Sequence, residues 1–327
     1  MVVIPAADVL RLLPMGECIQ LMREALAALA RGQATMPLRT VMQMPGGFLG
    51  LMPCNLEGRD EQPAALGLKA VTIFPGNAAR GLETHQGAMI LFDADTGIPS
   101  AIMDAAPVTA IRTAAVSAVA TDCLARPQAG DLAILGAGVQ ARTHIEAMAI
   151  VRSVRRARIW SRSIEHARRL ADDAARAFPF RVHACETAEE AVSGADIVCT
   201  VTASPEPVLE RQWLADGTHI NAVGSSQPAT RELDSATVRS ARLFVDRRES
   251  ALAEAGDILI PLRAGEISEM HIAAELGEVV AGLKPGRQSD GEITVFKSLG
   301  LAVEDVAAAS HVVNRAVTAG LGTPVEL

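Results

Sequence analysis

The chain has 327 residues and a net charge of −8, and 49% of its residues are apolar although only 3% are aromatic. This length predicts about two domains with a large buried core. Few aromatic residues and an acidic balance exclude the basic, base-stacking surfaces of most nucleic-acid-binding proteins. The best apolar stretch, 105–125, is interrupted by Arg112 and Asp122, so we expect no membrane-spanning segment.

Two further features of the sequence indicate the cytoplasm. The N-terminus lacks the basic segment, apolar stretch and small-residue cleavage site of a secretory signal peptide. The 5 cysteines include no C-x-x-C pair, and their odd number is typical of scattered reduced thiols. We therefore expect a cytoplasmic protein.

The first third of the chain is predicted to combine helices with short strands. Residues 1–30 are predicted to be helical, because Cys18, Met22 and Leu26 recur at helical spacing before Gly32. A mostly apolar helix is predicted over 109–124. Between them, short segments rich in Val, Ile, Met and Phe are bounded by turn residues and predict strands at 39–44, 48–53, 67–74, 87–93 and 99–104.

From Gly130 onward, strands and helices alternate. The predicted strands are 131–135, 157–160, 181–184, 196–202, 219–223 and 243–246, and the predicted helices are 139–151, 163–178, 188–193 and 235–240. Such alternation predicts right-handed crossovers and a parallel sheet covered on both faces. A last helix, 303–319, is expected to pack back onto the N-terminal part.

A glycine-rich turn follows the first of these strands. Gly136-Ala137-Gly138-Val139-Gln140-Ala141 directly follows the strand and opens a helix. This is the position of a dinucleotide-binding turn, in which Gly136 makes the tight turn and Gly138 lets the backbone approach a pyrophosphate. The predicted fold class is α/β, with a Rossmann-type domain at 115–300 and a split α+β domain at 1–114 and 301–327.

The end of the second strand favours one cofactor over another. NAD enzymes commonly carry Asp or Glu there, whereas this chain has Ser161, Arg162 and Ser163. An arginine flanked by two hydroxyls is able to bind a 2′-phosphate, so NADP(H) is favoured while NAD(H) remains possible. The alternative is that Arg162 is one more solvated arginine at a helix start.

Other familiar catalytic patterns are absent from the sequence. The 7 histidines form no H-E-x-x-H motif or tight cluster with cysteines and carboxylates, so we expect no catalytic metal. No G-x-S-x-G elbow or phosphate-binding P-loop motif occurs. Residues 95–97 match the aspartic protease tripeptide, but Asp-Thr-Gly between two strands is more typical of a turn.

Three cations lie in apolar surroundings in the N-terminal part. Arg39 begins a strand, Lys69 lies within an apolar strand and Arg112 interrupts an apolar helix. Because charges on apolar surfaces are costly unless paired, these residues suggest an anion-binding cleft, plausibly for the carboxylate of an amino-acid-like substrate. Internal salt bridges with Asp or Glu are the alternative.

The sequence also resembles a known family along essentially its whole length. The segments that carry the resemblance are GLKAV (67–71), THQG (84–87), TAIRTAA (109–115), ILGAGVQA (134–141), INAVG (220–224), RELD (231–234), ELGEV (275–279) and TVFKSLG (294–300). In this order they resemble the ornithine cyclodeaminase/μ-crystallin family. The resemblance implies a homodimer, built through the split domain, and hydride transfer between a nicotinamide and the α-carbon of an amino acid or its imine.

The resemblance also implies roles for individual residues. Those implied to bind the substrate are Arg39, Lys69, His85, Arg112 and Lys297. Those implied to bind the cofactor, together with Gly136 and Gly138, are Thr84, Arg112, Val139, Gln140, Ser161, Arg162, Ser163, Thr202, Val223 and Ser298. His85 is equally interpreted as a cofactor contact or a structural histidine.

One departure bears on the reaction. Cyclodeaminases of the family carry an Asp where this chain has Ser226, and a serine hydroxyl is too weak an acid or base to replace it. The ketimine reductases similar to μ-crystallin have Ser at this position. The resemblance therefore implies an NADPH-dependent ketimine reductase. Alternatives are an NAD-dependent ornithine cyclodeaminase, an alanine dehydrogenase-like enzyme, and a non-catalytic ligand-binding protein.

A catalytic hypothesis follows for Lys69, Arg112 and Ser226. Arg39 and Arg112 would clamp the carboxylate of a cyclic imine, Δ1-pyrroline-2-carboxylate or Δ1-piperideine-2-carboxylate. Hydride would be delivered to C2, giving L-proline or L-pipecolate. Protonation of the imine nitrogen makes C2 more electrophilic, and Lys69, or a water held by Ser226 and His85, is the candidate proton source.

Overall fold

The computed structural model describes residues 1–58 and 64–326, and its contacts divide into two compact units. The first unit comprises Met1–Arg112 and Gly300–Leu327, and the second Thr113–Leu299. These bounds differ from the predicted ones by one or two residues. Residues 59–63 and Leu327, which fall in the predicted split domain, lie outside the described residues.

The first unit is built on a mixed sheet with helices packed on it. Its strands are β1 (Val2–Ile4), β2 (Ala34–Thr35), β3 (Thr40–Met44), β4 (Gly47–Leu56), β5 (Ala65–Ile73), β6 (His85–Phe92), β7 (Pro99–Asp104) and β16 (Thr323–Pro324). They run in the order β16-β1-β7-β6-β5-β4-β2, and β3 pairs with β4. Strands β4 to β7 pair antiparallel, whereas β1 lies parallel to β7.

The helices of this unit are α1 (Ala6–Leu12), α2 (Met15–Ala30), α11 (Ala302–Ala319) and the start of α3 (Ala105–Leu124). As predicted, the C-terminal helix packs back, lying against β4, β5, β6 and α2. The prediction of one helix over 1–30 is wrong. Pro5 and Pro14 are the N-caps of α1 and α2, because proline interrupts a helix but is tolerated at its start.

Strands β6 and β7 pair antiparallel as a hairpin, and its turn explains the Asp-Thr-Gly tripeptide. The Asp93 carboxylate accepts hydrogen bonds from the Thr96 backbone N–H at 2.8 Å and from its hydroxyl at 2.6 Å. Gly97 adopts a positive φ of 73°. The tripeptide is thus a turn, as expected from its place between two strands.

The second unit is a parallel sheet with helices along its connections, as the alternating pattern predicted. Its strands are β8 (Asp131–Leu135), β9 (Arg156–Trp160), β10 (Arg181–Ala184), β11 (Ile197–Thr200), β12 (His219–Ala222), β13 (Arg242–Val245), β14 (Ile272–Glu275) and β15 (Thr294–Lys297). Their order is β10-β9-β8-β11-β12-β15-β13-β14. The chain therefore reverses direction across the sheet between β8 and β11, which is where doubly wound folds bind ligands.

The helices of the second unit are α4 (Val139–Val151), α5 (Ile164–Ala177), α6 (Ala188–Val192), α7 (Ser235–Ser240), α8 (Arg248–Glu254), α9 (Gly256–Arg263) and α10 (Leu276–Val280). The α/β fold class agrees with the prediction, although β14, β15 and α8 to α10 were not predicted. Among the described residues, no helix combines the length and apolar character needed to cross a membrane.

Candidate functional site

Two of the three predicted cations of the first unit meet at one buried carboxylate. Lys69 lies on β5, between Met52 of β4 and Met89 of β6, and its side chain is buried. Its Nζ is 2.6 Å from Asp305 Oδ2. Arg112, also buried, donates from Nε to Asp305 Oδ1 at 2.9 Å. Asp305 therefore uses one oxygen for each cation.

The start of α11 supplies this carboxylate and a second one. Glu304 and Asp305 lie in the first helical turn, where the helix dipole favours negative charge, and both are fully buried. Arg112 Nη1 donates to Glu304 Oε2 at 2.8 Å. Gly300, at φ 78°, precedes the helix, and a Cβ there would clash with the Arg112 guanidinium. Glycine at this position leaves room for the buried arginine.

Arg39 adds a third positive charge to the same group. It is half-buried, and its Nη2 donates to the Gly300 carbonyl at 3.1 Å. Arg39 also lowers the pKa of Lys69, so its charge acts on the same group. Three neighbouring cations suit a ligand with a carboxylate.

Burial and neighbouring charges shift the pKa values of Lys69 and Asp305. Burial lowers the pKa of Lys69 to about 8; Asp305 opposes this effect, while Arg112 and Arg39 reinforce it. Burial alone would raise the pKa of Asp305, but Arg112 and Lys69 outweigh it, so this pKa is lowered. Asp305 stays ionised at neutral pH, whereas Lys69 is able to exchange its proton in the range where an enzymatic acid or base works.

His85 and Thr84 lie at the start of β6. His85 is exposed in the chain, and its Nδ1 is 3.1 Å from the Thr84 hydroxyl. Desolvation lowers the pKa of His85; the nearby Glu83 opposes the shift, and Lys69 reinforces it. The ring is therefore within the electrostatic range of Lys69, and it is neutral at neutral pH.

The glycine turn of the second unit has the geometry expected for a dinucleotide. Gly136 has φ 128°, and a Cβ there would lie 2.8 Å from the Val201 carbonyl. Gly138 is the N-cap of α4, with no capping side chain and no heavy atom within 4 Å of where its Cβ would be. Open space beside the uncapped N-terminus of a helix fits a pyrophosphate. Val139 and Gln140 form the first residues of this helix.

The turn after β9 presents one exposed arginine. Arg162 is exposed and has no ion pair or hydrogen bond within the described part of the chain. Ser163 caps α5, because its hydroxyl accepts from the His166 N–H at 3.3 Å. The same hydroxyl donates to Glu165 Oε2 at 2.8 Å. The Arg162 guanidinium is thus available to a 2′-phosphate. The hydroxyl proton of Ser163 is not, because it is donated to the Glu165 carboxylate.

Three predicted cofactor residues lie at the carboxyl ends of adjacent strands. Thr202 follows β11, Val223 follows β12 and Ser298 follows β15. The Thr202 hydroxyl contacts Glu232 at 2.7 Å, and the Val223 N–H donates to Thr200. Ser298 is buried, and its hydroxyl has no hydrogen-bond partner among the described residues. A buried polar group without a partner is typical of a site completed by a ligand.

Two predicted residues lie away from the Lys69 group. Lys297 ends β15, is 1% exposed, and its Nζ is 2.9 Å from Asp257 Oδ2. Its assignment to the substrate stays a prediction. Ser226 is exposed in the loop after β12, in the second unit, whereas Lys69 and His85 belong to the first.

The acidic partners of these cations were not predicted from the sequence. Glu304 and Asp305 stand in the apolar context Ala-Val-Glu-Asp-Val-Ala, and Glu232 lies in the RELD segment. The signal that indicated Arg112, a charge on an apolar helix, is equally present at Glu304 and Asp305. For Lys69 and Arg112 the alternative of internal salt bridges is realised.

Comparison with known proteins identifies a family whose model matches this chain. A model of the ornithine cyclodeaminase/mu-crystallin family matches residues 1–320. The ketimine reductase mu-crystallin of Mus musculus is 44% identical over 283 residues, which cover 86% of this chain and 85% of the relative.

Solved structures resemble the chain closely. The structure of Thermococcus litoralis Delta(1)-pyrroline-2-carboxylate reductase in complex with NADH and L-proline has a TM-score of 0.96 at 40% identity, covering 99% of this chain and 100% of that one. An archaeal alanine dehydrogenase dimer with bound NAD has a TM-score of 0.95 at 34% identity, covering 100% and 99% of the two chains.

Proposed function

The chain belongs to the ornithine cyclodeaminase/mu-crystallin family, and from this premise we propose that it is an NAD(P)H-dependent ketimine reductase. Its substrates are Δ1-pyrroline-2-carboxylate, Δ1-piperideine-2-carboxylate or both, and the products are L-proline or L-pipecolate. The relatives that are named as reductases of such imines support this activity. The observation that carries the proposal is Lys69, buried beside Asp305 and Arg112.

The first unit supplies the groups that bind the imino acid. Arg39 and Arg112 attract the substrate carboxylate. Arg112 is held rigidly by Glu304 and Asp305, so little side-chain entropy remains to be lost when an anion binds. The half-buried Arg39 is the more accessible of the two. A planar imino acid held through its carboxylate has its C=N bond fixed relative to Lys69.

Lys69 serves as the proton donor for imine reduction. A bound NAD(P)H supplies the hydride that adds to C2 of the imine. The electron pair of the C=N bond moves to nitrogen, which takes a proton from the Lys69 ammonium. Neutral Lys69 remains beside Asp305 and regains its proton from solvent. A pKa of about 8 suits this donor, because general acids act best when their pKa is near the working pH.

The second unit supplies the cofactor site. Gly136, Gly138, Val139 and Gln140 would hold the pyrophosphate, and Thr202, Val223 and Ser298 would hold the nicotinamide half. We propose a preference for NADPH, because the exposed guanidinium of Arg162 is available to a 2′-phosphate. The Glu165 carboxylate beside Ser163 moderates this preference. NADH therefore remains usable.

Two further parts of the proposal concern the assembly and the rival reaction. We propose a homodimer, which the dimeric archaeal relative supports, together with the exposed apolar side chains of Val41 and Met42 on β3.

We do not propose ornithine cyclodeamination. Ser226 carries a hydroxyl at the position where the cyclodeaminases have a carboxylate acid or base. No hydrogen bond in the described part of the chain activates this hydroxyl.

A spectrophotometric assay tests this function. Oxidation of NADPH and NADH is measured with each cyclic imine, beside L-ornithine with an ammonia readout. We expect imine-dependent oxidation with both cofactors, faster with NADPH, and no ammonia from ornithine. Ammonia release without imine reduction would overturn the proposal.

A further inference from the structure

The RELD segment places a carboxylate in the interior of the second unit. Glu232 is fully buried. It lies between the loop that follows β12 and the start of α7, where Asp234 caps the helix by accepting from the Thr237 N–H at 2.8 Å. Nothing in the proposed reaction uses Glu232, yet a buried carboxylate is costly unless it is fully hydrogen-bonded.

Four donors surround the Glu232 carboxylate. Oε1 accepts from the Thr202 N–H at 2.6 Å and from the Thr202 hydroxyl at 2.7 Å. Oε2 accepts from the Thr200 hydroxyl at 2.7 Å and from the Gly224 N–H at 2.6 Å. One side chain therefore joins the carboxyl ends of β11 and β12, which are neighbours in the sheet.

A second buried carboxylate holds the Glu232 backbone. Asp257 Oδ1 accepts from the N–H groups of Glu232 and Leu233 at 2.8 and 2.9 Å. Its Oδ2 pairs with Lys297, the last residue of β15. Burial raises the pKa of Glu232 and Asp257 adds to that shift, whereas Lys297 and the two threonine hydroxyls oppose it. The Lys297 ammonium thus compensates a carboxylate network at the ends of three strands.

Glycine at 224 is required for this arrangement. A Cβ at Gly224 would clash with the Thr202 carbonyl and would lie 2.5 Å from Glu232 Oε1. The two strand ends and the carboxylate are therefore packed at backbone distance. Small displacements of Glu232 would be transmitted directly to both loops.

We propose that Glu232 is a positioning residue for the nicotinamide half of the cofactor, an assignment that rests on the proposed function. It fixes the Thr202 and Val223–Gly224 backbones at the sheet edge where ligands of such folds bind. It also fixes the Thr202 hydroxyl, whose proton points to Glu232 and which accepts from the Ser204 N–H at 3.1 Å. A ligand at Thr202 therefore meets a hydrogen-bond acceptor, which suits an amide N–H₂ group.

Two ligands separate this role from a general structural one. NADH contains the nicotinamide half, whereas ADP-ribose contains only the adenosine, pyrophosphate and ribose parts. In Glu232→Gln an amide N–H₂ replaces one acceptor and faces the donors of Thr202 or Gly224. We expect NADH affinity, measured by fluorescence or calorimetric titration, to fall about tenfold or more, while ADP-ribose affinity stays within about twofold of wild type.

Matched variants keep the test decisive. Asp234→Ala removes the α7 cap in the same segment, so it should lower the melting temperature without changing the ratio of NADH to ADP-ribose affinity. Thr200→Val removes one donor to Glu232 without touching a predicted cofactor residue, and it should weaken NADH binding about threefold with ADP-ribose unchanged. Thr200→Val decides the question if Glu232→Gln does not fold.

The outcomes distinguish the two proposals. If wild-type protein binds neither NADH nor ADP-ribose, the proposed function fails. If wild-type protein binds both, and Glu232→Gln or Thr200→Val leaves the affinity ratio unchanged, the assignment of Glu232 is overturned while the function stands.

Discussion

The buried carboxylate of Asp305 contacts two of the cations that the resemblance assigns to the substrate, Lys69 and Arg112. Its negative charge keeps the Lys69 ammonium from losing its proton in an apolar interior. A carboxylate that contacts no substrate thereby controls how easily Lys69 gives up its proton. In the proposed mechanism, this coupling with Asp305, rather than the lysine alone, lets Lys69 act as a proton donor at neutral pH.

The coupling predicts a pH dependence with a definite sign. If imine reduction uses the Lys69 ammonium as proposed, kcat should be level below about pH 8 and fall above it. In Asp305→Asn the opposing charge is lost while Arg112 and Arg39 still repel the ammonium, so the fall should begin about one pH unit lower or more. Oxidation of L-proline should show the reverse profile, rising through the same pH.

A test variant and a control variant identify whether Lys69 is the group that titrates. Lys69→Met should lower kcat at least about a hundredfold and remove this limb of the profile, with little change in NADPH affinity. Glu17→Gln changes an exposed carboxylate that pairs with Arg315 and should leave the profile unchanged. A profile that keeps its midpoint in Asp305→Asn would contradict the role given to Asp305.

At the scale of elements, the turn from β9 to α5 is where we expect the choice between NADPH and NADH to be made. Arg162 projects from it without a described partner, and Ser163 is engaged in capping α5. Arginine binds a phosphate through two parallel hydrogen bonds, which a ribose hydroxyl cannot match in charge. The preference for NADPH should therefore reside mainly in one side chain.

Arg162→Ala tests this assignment. We expect kcat/KM for NADPH to fall about tenfold or more, with kcat/KM for NADH changed less than about threefold. Arg169→Ala, which removes another exposed arginine from α5, should leave both values near wild type. An equal loss of kcat/KM with NADPH and with NADH in Arg162→Ala would show that Arg162 does not bind the 2′-phosphate.

The elements that the sequence predicted well are those with a strong local pattern. Strand β8 and helix α4 have the predicted bounds, because a buried apolar run followed by glycines and an amphipathic helix is unambiguous. Region 248–297 was harder to predict, since α8 to α10 have only five to eight residues each and α9 contains Pro261. Strand β1 was missed because its stability comes from pairing with β7, about 100 residues away.

The residues of the candidate site, like the strands and helices, could be predicted only in part. Cations in apolar strands and helices are visible locally, so Lys69 and Arg112 were found. Their partners are not visible locally, because Arg112 and Asp305 lie 193 positions apart. Asp257, the partner of Lys297, was likewise not predicted.

For the whole molecule, the cations of the first unit stand against the overall charge. The chain carries −8, yet Lys69 and Arg112, with Arg39 nearby, form a cluster of cations in this unit. An acidic protein repels anions in general, so a local cluster of cations is a specific feature. This cluster is where we expect the carboxylate of an imino acid to bind.

The central claim is that hydride passes from a nicotinamide to C2 of a cyclic imino acid. The most direct measurement uses NADPH dideuterated at nicotinamide C4 with Δ1-pyrroline-2-carboxylate, followed by mass and NMR spectra of the product. We predict L-proline that carries one deuterium, located at C2. Unlabelled proline, or deuterium at any other carbon, would contradict the account.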